Sequence, residues 1–164
     1  MQTQALDEMF SAFQRAEVDY LIVGGLAVVA HGYVRTTGDV DLVIGLEPEN
    51  IIKGLRALES IGYRIAIPVT AEEFADAGKR EQWRREKGMM VLKLWSDKHQ
   101  LTPVDVFVYE PFDMQQELAM AERFVWNNDL KIPVISKQTL ITMKREAGRP
   151  QDMADIAELE KLDD

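Results

Sequence analysis

The sequence predicts an α/β or α+β fold in which helices cover a β-sheet, and three observations carry the prediction. Between residues 20 and 44 an apolar strand runs into Gly24-Gly25, a short helical run and a second apolar strand that contains Asp39 and Asp41. Residues 89–95 and 104–109 read as two paired strands joined through SDKHQLTP. At both ends of the chain apolar residues recur at helical spacing: Leu6, Met9, Phe10 and Phe13 near the start, and Ile156, Leu159 and Leu162 near the end. A strand–helix–strand–helix order bounded by amphipathic helices suits helices layered on a sheet.

Taken in order, the first helix spans 4–16 and ends at 17–19, before a strand over 20–23. Gly24-Gly25 permit a tight turn and a close backbone approach, and 26–30 form a short helix closed by His31-Gly32. Residues 35–38 lead into a strand over 39–44. Gly45 and Pro48 turn the chain into a helix over 50–61, with Ile51, Ile52, Leu55 and Leu58 on one face. Residues 63–67 alternate as a short strand that Pro68 ends, and 71–87 read as one helix with Gly78 as its weak point. A helix over 113–123 precedes extended segments near 124–126 and 131–135, with Asn127-Asn128-Asp129 turning between them. Ser136 caps a helix over 137–146, and a last helix covers 152–162. No internal repeat or long linker divides the chain, so one domain over 1–164 is expected.

Composition narrows the function classes. The chain of 164 residues has no cysteine, which excludes disulfides and thiolate metal sites and fits a cytoplasmic protein. Neither a basic leader followed by an apolar run nor a stretch of 18 apolar residues is present, so no membrane role is expected. A net charge of −9 opposes non-specific wrapping of DNA. Charge is uneven, however: residues 79–99 hold seven Lys/Arg against three acids, as either a solvated amphipathic helix or a rim for a phosphate-bearing substrate.

Asp39 and Asp41 stand two apart on a strand and so point to one face, with Cα atoms about 6–7 Å apart. Carboxylates in so apolar a strand oppose each other's ionisation, and a divalent cation between them is the simplest compensation. Asp105 is a third acid in an apolar strand, and it joins the pair if the 104–109 strand lies beside the 39–44 strand. Three carboxylates are the hard oxygen ligands that Mg²⁺ or Mn²⁺ prefers, with waters or substrate phosphates completing the shell, which suits a nucleoside triphosphate (NTP). Gly24 and Gly25 are either a tight turn or a backbone cradle for phosphates. Arg35 can reach phosphate or hold a carboxylate, and Thr37 reads as a turn residue rather than a nucleophile.

The pattern Gly24-Gly25-x-Ala27, His31-Gly32, Arg35-x-Thr37, Asp39-x-Asp41 resembles the active-site signature of the nucleotidyltransferase superfamily related to DNA polymerase β. The resemblance is to its small bacterial branch, which includes abortive-infection, toxin–antitoxin and lincosamide nucleotidyltransferases. Lys144, Arg149, Asp152 and Asp155 resemble the second block of that branch. The resemblance implies a mixed sheet flanked by helices and Mg²⁺-dependent transfer of a nucleoside monophosphate from an NTP. It implies metal ligation by Asp39, Asp41 and Asp105, and places Gly24, Gly25, Arg35, Thr37, Lys144 and Arg149 around the nucleotide. Lys144 can alternatively snorkel from its helix, and Arg149 can pair with Asp152 or Asp155. Gly25 stands where many members have Ser. The expected acceptor is an RNA end, a protein hydroxyl or a small molecule; the alternative is an antitoxin-like interaction protein that binds or modifies a helical partner toxin.

Overall fold

The computed structural model describes residues 1–127 and 129–162; Asn128, which the sequence places in a turn, lies outside the described residues. Among the described residues a seven-stranded sheet has the order β3-β4-β5-β2-β1-β7-β6. Its strands are β1 (Tyr20–Val23), β2 (Val40–Ile44), β3 (Arg64–Ile65), β4 (Val91–Trp95), β5 (Val104–Phe107), β6 (Glu122–Asn127) and β7 (Leu130–Val134). The β1–β7 and β2–β5 pairs are parallel and the other four antiparallel, so the sheet is mixed. The helices are α1 (Thr3–Arg15), α2 (Gly24–Ala30), α3 (Pro48–Ser60), α4 (Ala71–Ala75), α5 (Ala77–Lys87), α6 (Met114–Met120), α7 (Lys137–Ala147) and α8 (Pro150–Lys161). None of the described helices is long and apolar enough to cross a membrane.

Side-chain alternation sorts the strands between two helical layers. Tyr20 and Ile44 are opposite each other across β1 and β2 and face α1 and α3. The Tyr20 ring lies 4.6 Å from that of Phe13, and Ile44 packs so closely on α3 that a Cβ at Gly54 would sit 3.1 Å from it. Leu21, Val23, Asp41 and Val43 point to the other face, where α2 packs on β1 and β2, α7 packs on α2, and α8 packs on α7. Covered on both faces, β1 is apolar and buried throughout. In β4 burial alternates instead: Leu92 and Leu94 are buried whereas Lys93 and Trp95 are exposed. The second face of the sheet is therefore covered over β1 and β2 and bare over β4.

Most elements lie where periodicity predicts them, with differences that have local causes. The 71–87 segment breaks at Asp76 rather than Gly78. The Asp76 backbone is extended, and its carboxylate accepts from the amides of Gly78 and Lys79, so it caps α5 as α4 ends. Helix α6 stops at Met120, and the segment near 124–126 is a six-residue strand because it pairs antiparallel with β7. The 63–67 strand shortens to two residues, and β2 begins one residue after Asp39.

Asn50, in the first turn of α3, is a buried residue that links this layer to the sheet. Its Oδ1 accepts from the Asp19 amide at 2.8 Å, and its Nδ2 donates to the carbonyls of Asp19 and Gly45 at 2.9 and 2.8 Å. The side chain thus extends the β1–β2 ladder by one rung. Asn50→Leu would leave the Asp19 amide and the Gly45 carbonyl without this partner, at roughly 1–3 kcal/mol for each one that water does not reach, while the Asp19 carbonyl keeps its bond from the Gly45 amide. Urea unfolding is expected to show a loss of at least about 2 kcal/mol, with no change in far-UV circular dichroism before the transition.

Candidate active site

Asp39, Asp41 and Asp105 come together where the covered part of the second face gives way to the bare part. Strands β2 and β5 run parallel with Asp41 in register with Asp105. Adjacent strands are ~4.8 Å apart, so the two carboxylates stand side by side on one face. Asp39, two residues before Asp41, points the same way. Oxygens of the three carboxylates lie within 4.8 Å of one another. Asp105 is buried, Asp41 half-buried and Asp39 exposed, so the cluster opens to solvent at Asp39.

The cluster carries more negative charge than its surroundings offset. Burial pushes the Asp41 carboxyl up to about 6; Asp105 and Asp39 add to the rise, and Lys144 and Lys93 oppose it. An all-oxygen donor set of three acids, with one of them hard to ionise without a further cation, fits Mg²⁺ or Mn²⁺. The residues that would hold the ion are Asp39, Asp41 and Asp105.

Two glycines bring the start of α2 against these acids. Gly24 has a φ of +68°, and a Cβ there would lie 2.1 Å from an Asp41 carboxylate oxygen, so only glycine leaves Asp41 in place. At Gly25 a Cβ would lie 2.3 Å from Thr37 Oγ1 and 3.3 Å from Arg35 Nη2. Thr37 therefore fills the space that a serine side chain at position 25 would need. Its hydroxyl stands over the first turn of α2 and has no hydrogen-bond partner among the described residues.

Arg35, Lys144 and Arg149 all pair with the acids of α8. Arg35 forks onto Asp155, with Nε and Nη2 each 2.8 Å from a carboxylate oxygen. Lys144 Nζ lies 2.9 Å from Asp155 and 3.2 Å from Asp152, and all three of these side chains are buried. Arg149 donates through Nε to Asp152 at 2.7 Å, with most of its side chain in solvent. Burial alone would raise both aspartates, but the hydrogen bonds from Arg149 and Lys144 hold Asp152 below the usual carboxylate range. Those from Arg35, Lys144 and Gln151 do the same for Asp155. The network joins α7, α8 and the segment that presents Thr37, while Lys144 still acts on Asp41 through its field.

Sequence reasoning overlooked Lys93, which donates to both oxygens of Asp105 at 3.0 and 3.3 Å. The available signal was its parity in β4 relative to Asp105 in β5, hidden by its place in the basic 79–99 stretch. Elsewhere in that stretch Arg80 is buried and its guanidinium bonds the Phe74 carbonyl, and Trp83 stacks on Phe74. His31 Nε2 is 2.8 Å from the Ile135 carbonyl and ties α2 to the end of β7. A separate hollow of about 530 Å³, lined by Asp19, Glu47, Asn50 and Glu110, lies at the opposite end of β1, β2 and β5.

The fold of the sheet and its helical layers is shared with solved nucleotidyltransferases. No family model matches the chain. No curated protein matches it either. Solved structures do. The lincomycin-bound lincosamide antibiotic adenylyltransferase LnuA aligns over 99% of both chains with a TM-score of 0.63 and 18% identity. A nucleotidyltransferase-like protein of Thermotoga maritima, TM1012, aligns over 94% of this chain and 89% of its own at 0.58 and 15%. ANT(2")-Ia in complex with adenylyl-2"-tobramycin aligns over 96% and 86% at 0.59 and 12%. At these identities the likeness is one of fold.

Two stability measurements follow from the charges. Asp41 binds its proton more tightly folded, near pH 6, than unfolded, near 3.8, so metal-free protein loses stability as the pH rises from about 4 to about 6. Asp41→Asn removes that loss: in EDTA it should be more stable than wild type by on the order of 1–2 kcal/mol at pH 8, after allowance for screening, and not at pH 4. Lys144→Met removes the ammonium shared by two buried carboxylates, which keep their bonds from Arg35 and Arg149, and is expected to cost about 1.5–3 kcal/mol in urea unfolding at pH 7.

Proposed function

We propose that the chain is a divalent-metal-dependent nucleotidyltransferase that moves a nucleoside monophosphate from an NTP to a hydroxyl-bearing acceptor and releases pyrophosphate. The convergence of Asp39, Asp41 and Asp105 beside Gly24 and Gly25 at the start of α2, in a fold shared with nucleotidyltransferases, carries this reading. When bound, Mg²⁺ or Mn²⁺ would offset the triphosphate charge and that of the departing pyrophosphate. Asp39 and Asp41 hold the donor side of the site, and Asp105 accepts the proton of the attacking hydroxyl. Gly24 and Gly25 let the triphosphate approach the backbone, and the Thr37 hydroxyl donates to a phosphate oxygen from the place a residue-25 side chain would occupy. Arg35, Lys144 and Arg149 favour the same anion through their positive field while they hold α8 in place. The acceptor oxygen bonds to the α-phosphorus as the bond from that phosphorus to the pyrophosphate oxygen breaks.

Two structural neighbours hold small polar molecules, lincomycin in LnuA and adenylyl-2"-tobramycin in ANT(2")-Ia, which supports a small polar molecule as acceptor. An RNA end and a protein hydroxyl are told apart from it in the same assay. Protein with Mg²⁺, a cell extract and each labelled NTP in turn should transfer label to an acceptor and release pyrophosphate. Asp39→Asn, Asp41→Asn and Asp105→Asn are each expected to lose at least about a hundredfold in rate, and Thr37→Val a smaller share through KM for the NTP. Free nucleoside monophosphate as the sole product would replace transfer with hydrolysis. No product with any NTP, together with co-purification of a small helical protein, would favour the antitoxin-like reading.

A further inference from the structure

Across the sheet, one row of residues on the second face reads Lys93, Asp105, Asp41, Val23. The cation at its outer end is bound to the acid beside it: Lys93 Nζ reaches both oxygens of Asp105, at 3.0 and 3.3 Å. The two partners differ in freedom. The Asp105 side chain is 12% exposed and fixed in the sheet, whereas that of Lys93 is 67% exposed on a flexible four-carbon stem. An ammonium and a divalent ion cannot both sit close to Asp105 without strong mutual repulsion.

From this the geometry points to Lys93 as a resident cation at Asp105, one that a divalent ion must displace before the three carboxylates can act together. Lys93 is thus a positioning residue that sets the metal affinity of the site; the inference rests on the metal-dependent reading above. With no metal bound, the ammonium offsets one of three crowded charges and keeps Asp105 directed along the row. When an ion arrives, the exposed stem lets the ammonium withdraw over β4, where Trp95 on the same side is also exposed. Among the described residues neither Asp39 nor Asp41 forms an ion pair with a lysine, and Lys93 acts on them only through its field, so direct competition for a carboxylate falls at Asp105.

The test is a titration with Mn²⁺ alone, without nucleotide, following free Mn²⁺ by electron paramagnetic resonance at fixed salt and pH. Wild type, Lys93→Met, Lys93→Arg and the same Lys93 changes in an Asp105→Asn background are compared. Lys93→Met is expected to bind Mn²⁺ about threefold to tenfold more tightly than wild type, because in wild type the ion must first break the ammonium–carboxylate pair. Lys93→Arg, which keeps the charge, should stay close to wild type and also controls for folding. In the Asp105→Asn background the gain from Lys93→Met should largely disappear. Unchanged or weaker binding by Lys93→Met overturns the inference, as does an equal gain when Asp105 is absent. Either result leaves the metal site of the proposed function standing, whereas no Mn²⁺ binding by any variant removes both.

Discussion

The register between β2 and β5 is the constraint on which the candidate site depends. Val40 pairs with Val104 and Asp41 with Asp105, so valines fill the core on one face while acids meet on the other. Slipping the pair by one residue would bury a carboxylate beneath α3 and expose a valine, which makes the apolar face the guardian of the polar one. The burial of Val40, Leu42, Val104 and Val106 holds the register. The convergence of the acids is thus a by-product of core packing, with no need for the acids to attract one another.

A second, buried set of charges has the complementary task. Asp152, Asp155 and Lys144 are held away from water, and Arg35 and Arg149 close the set from its two sides. Such a set contributes little net stability against an apolar equivalent, but it fixes geometry because each member is costly to leave unpaired. Here it fixes the segment that carries Thr37 against the start of α2. The positive charge near the acid cluster is thereby rigid on the α8 side and movable on the β4 side, where Lys93 is solvated.

Much of this was legible in the sequence. Alternation placed Asp39 with Asp41 and put Asp105 opposite the valines of its strand, and Ser136 capped α7 as its position implied. The order of strands and helices followed from periodicity and from Gly, Pro and Asn punctuation. What stayed hidden depends on partners distant in sequence. Asn50 looked like one more helix residue because its hydrogen bonds reach back 31 residues to Asp19. Arg35 finds Asp155 across 120 residues, so a choice between phosphate contact and ion pair could not be made locally. Asp76 outcompeted Gly78 as the helix break because capping by a carboxylate acts more strongly than the low helix propensity of one glycine.

The close approach of Thr37 to Gly25 makes the two positions a single steric unit. Enlarging the glycine demands a smaller residue at 37, because a Cβ at 25 would meet both Oγ1 and Cβ of Thr37. Libraries that vary position 25 would have to randomise position 37 with it, since enlarging the glycine alone samples mostly clashing combinations.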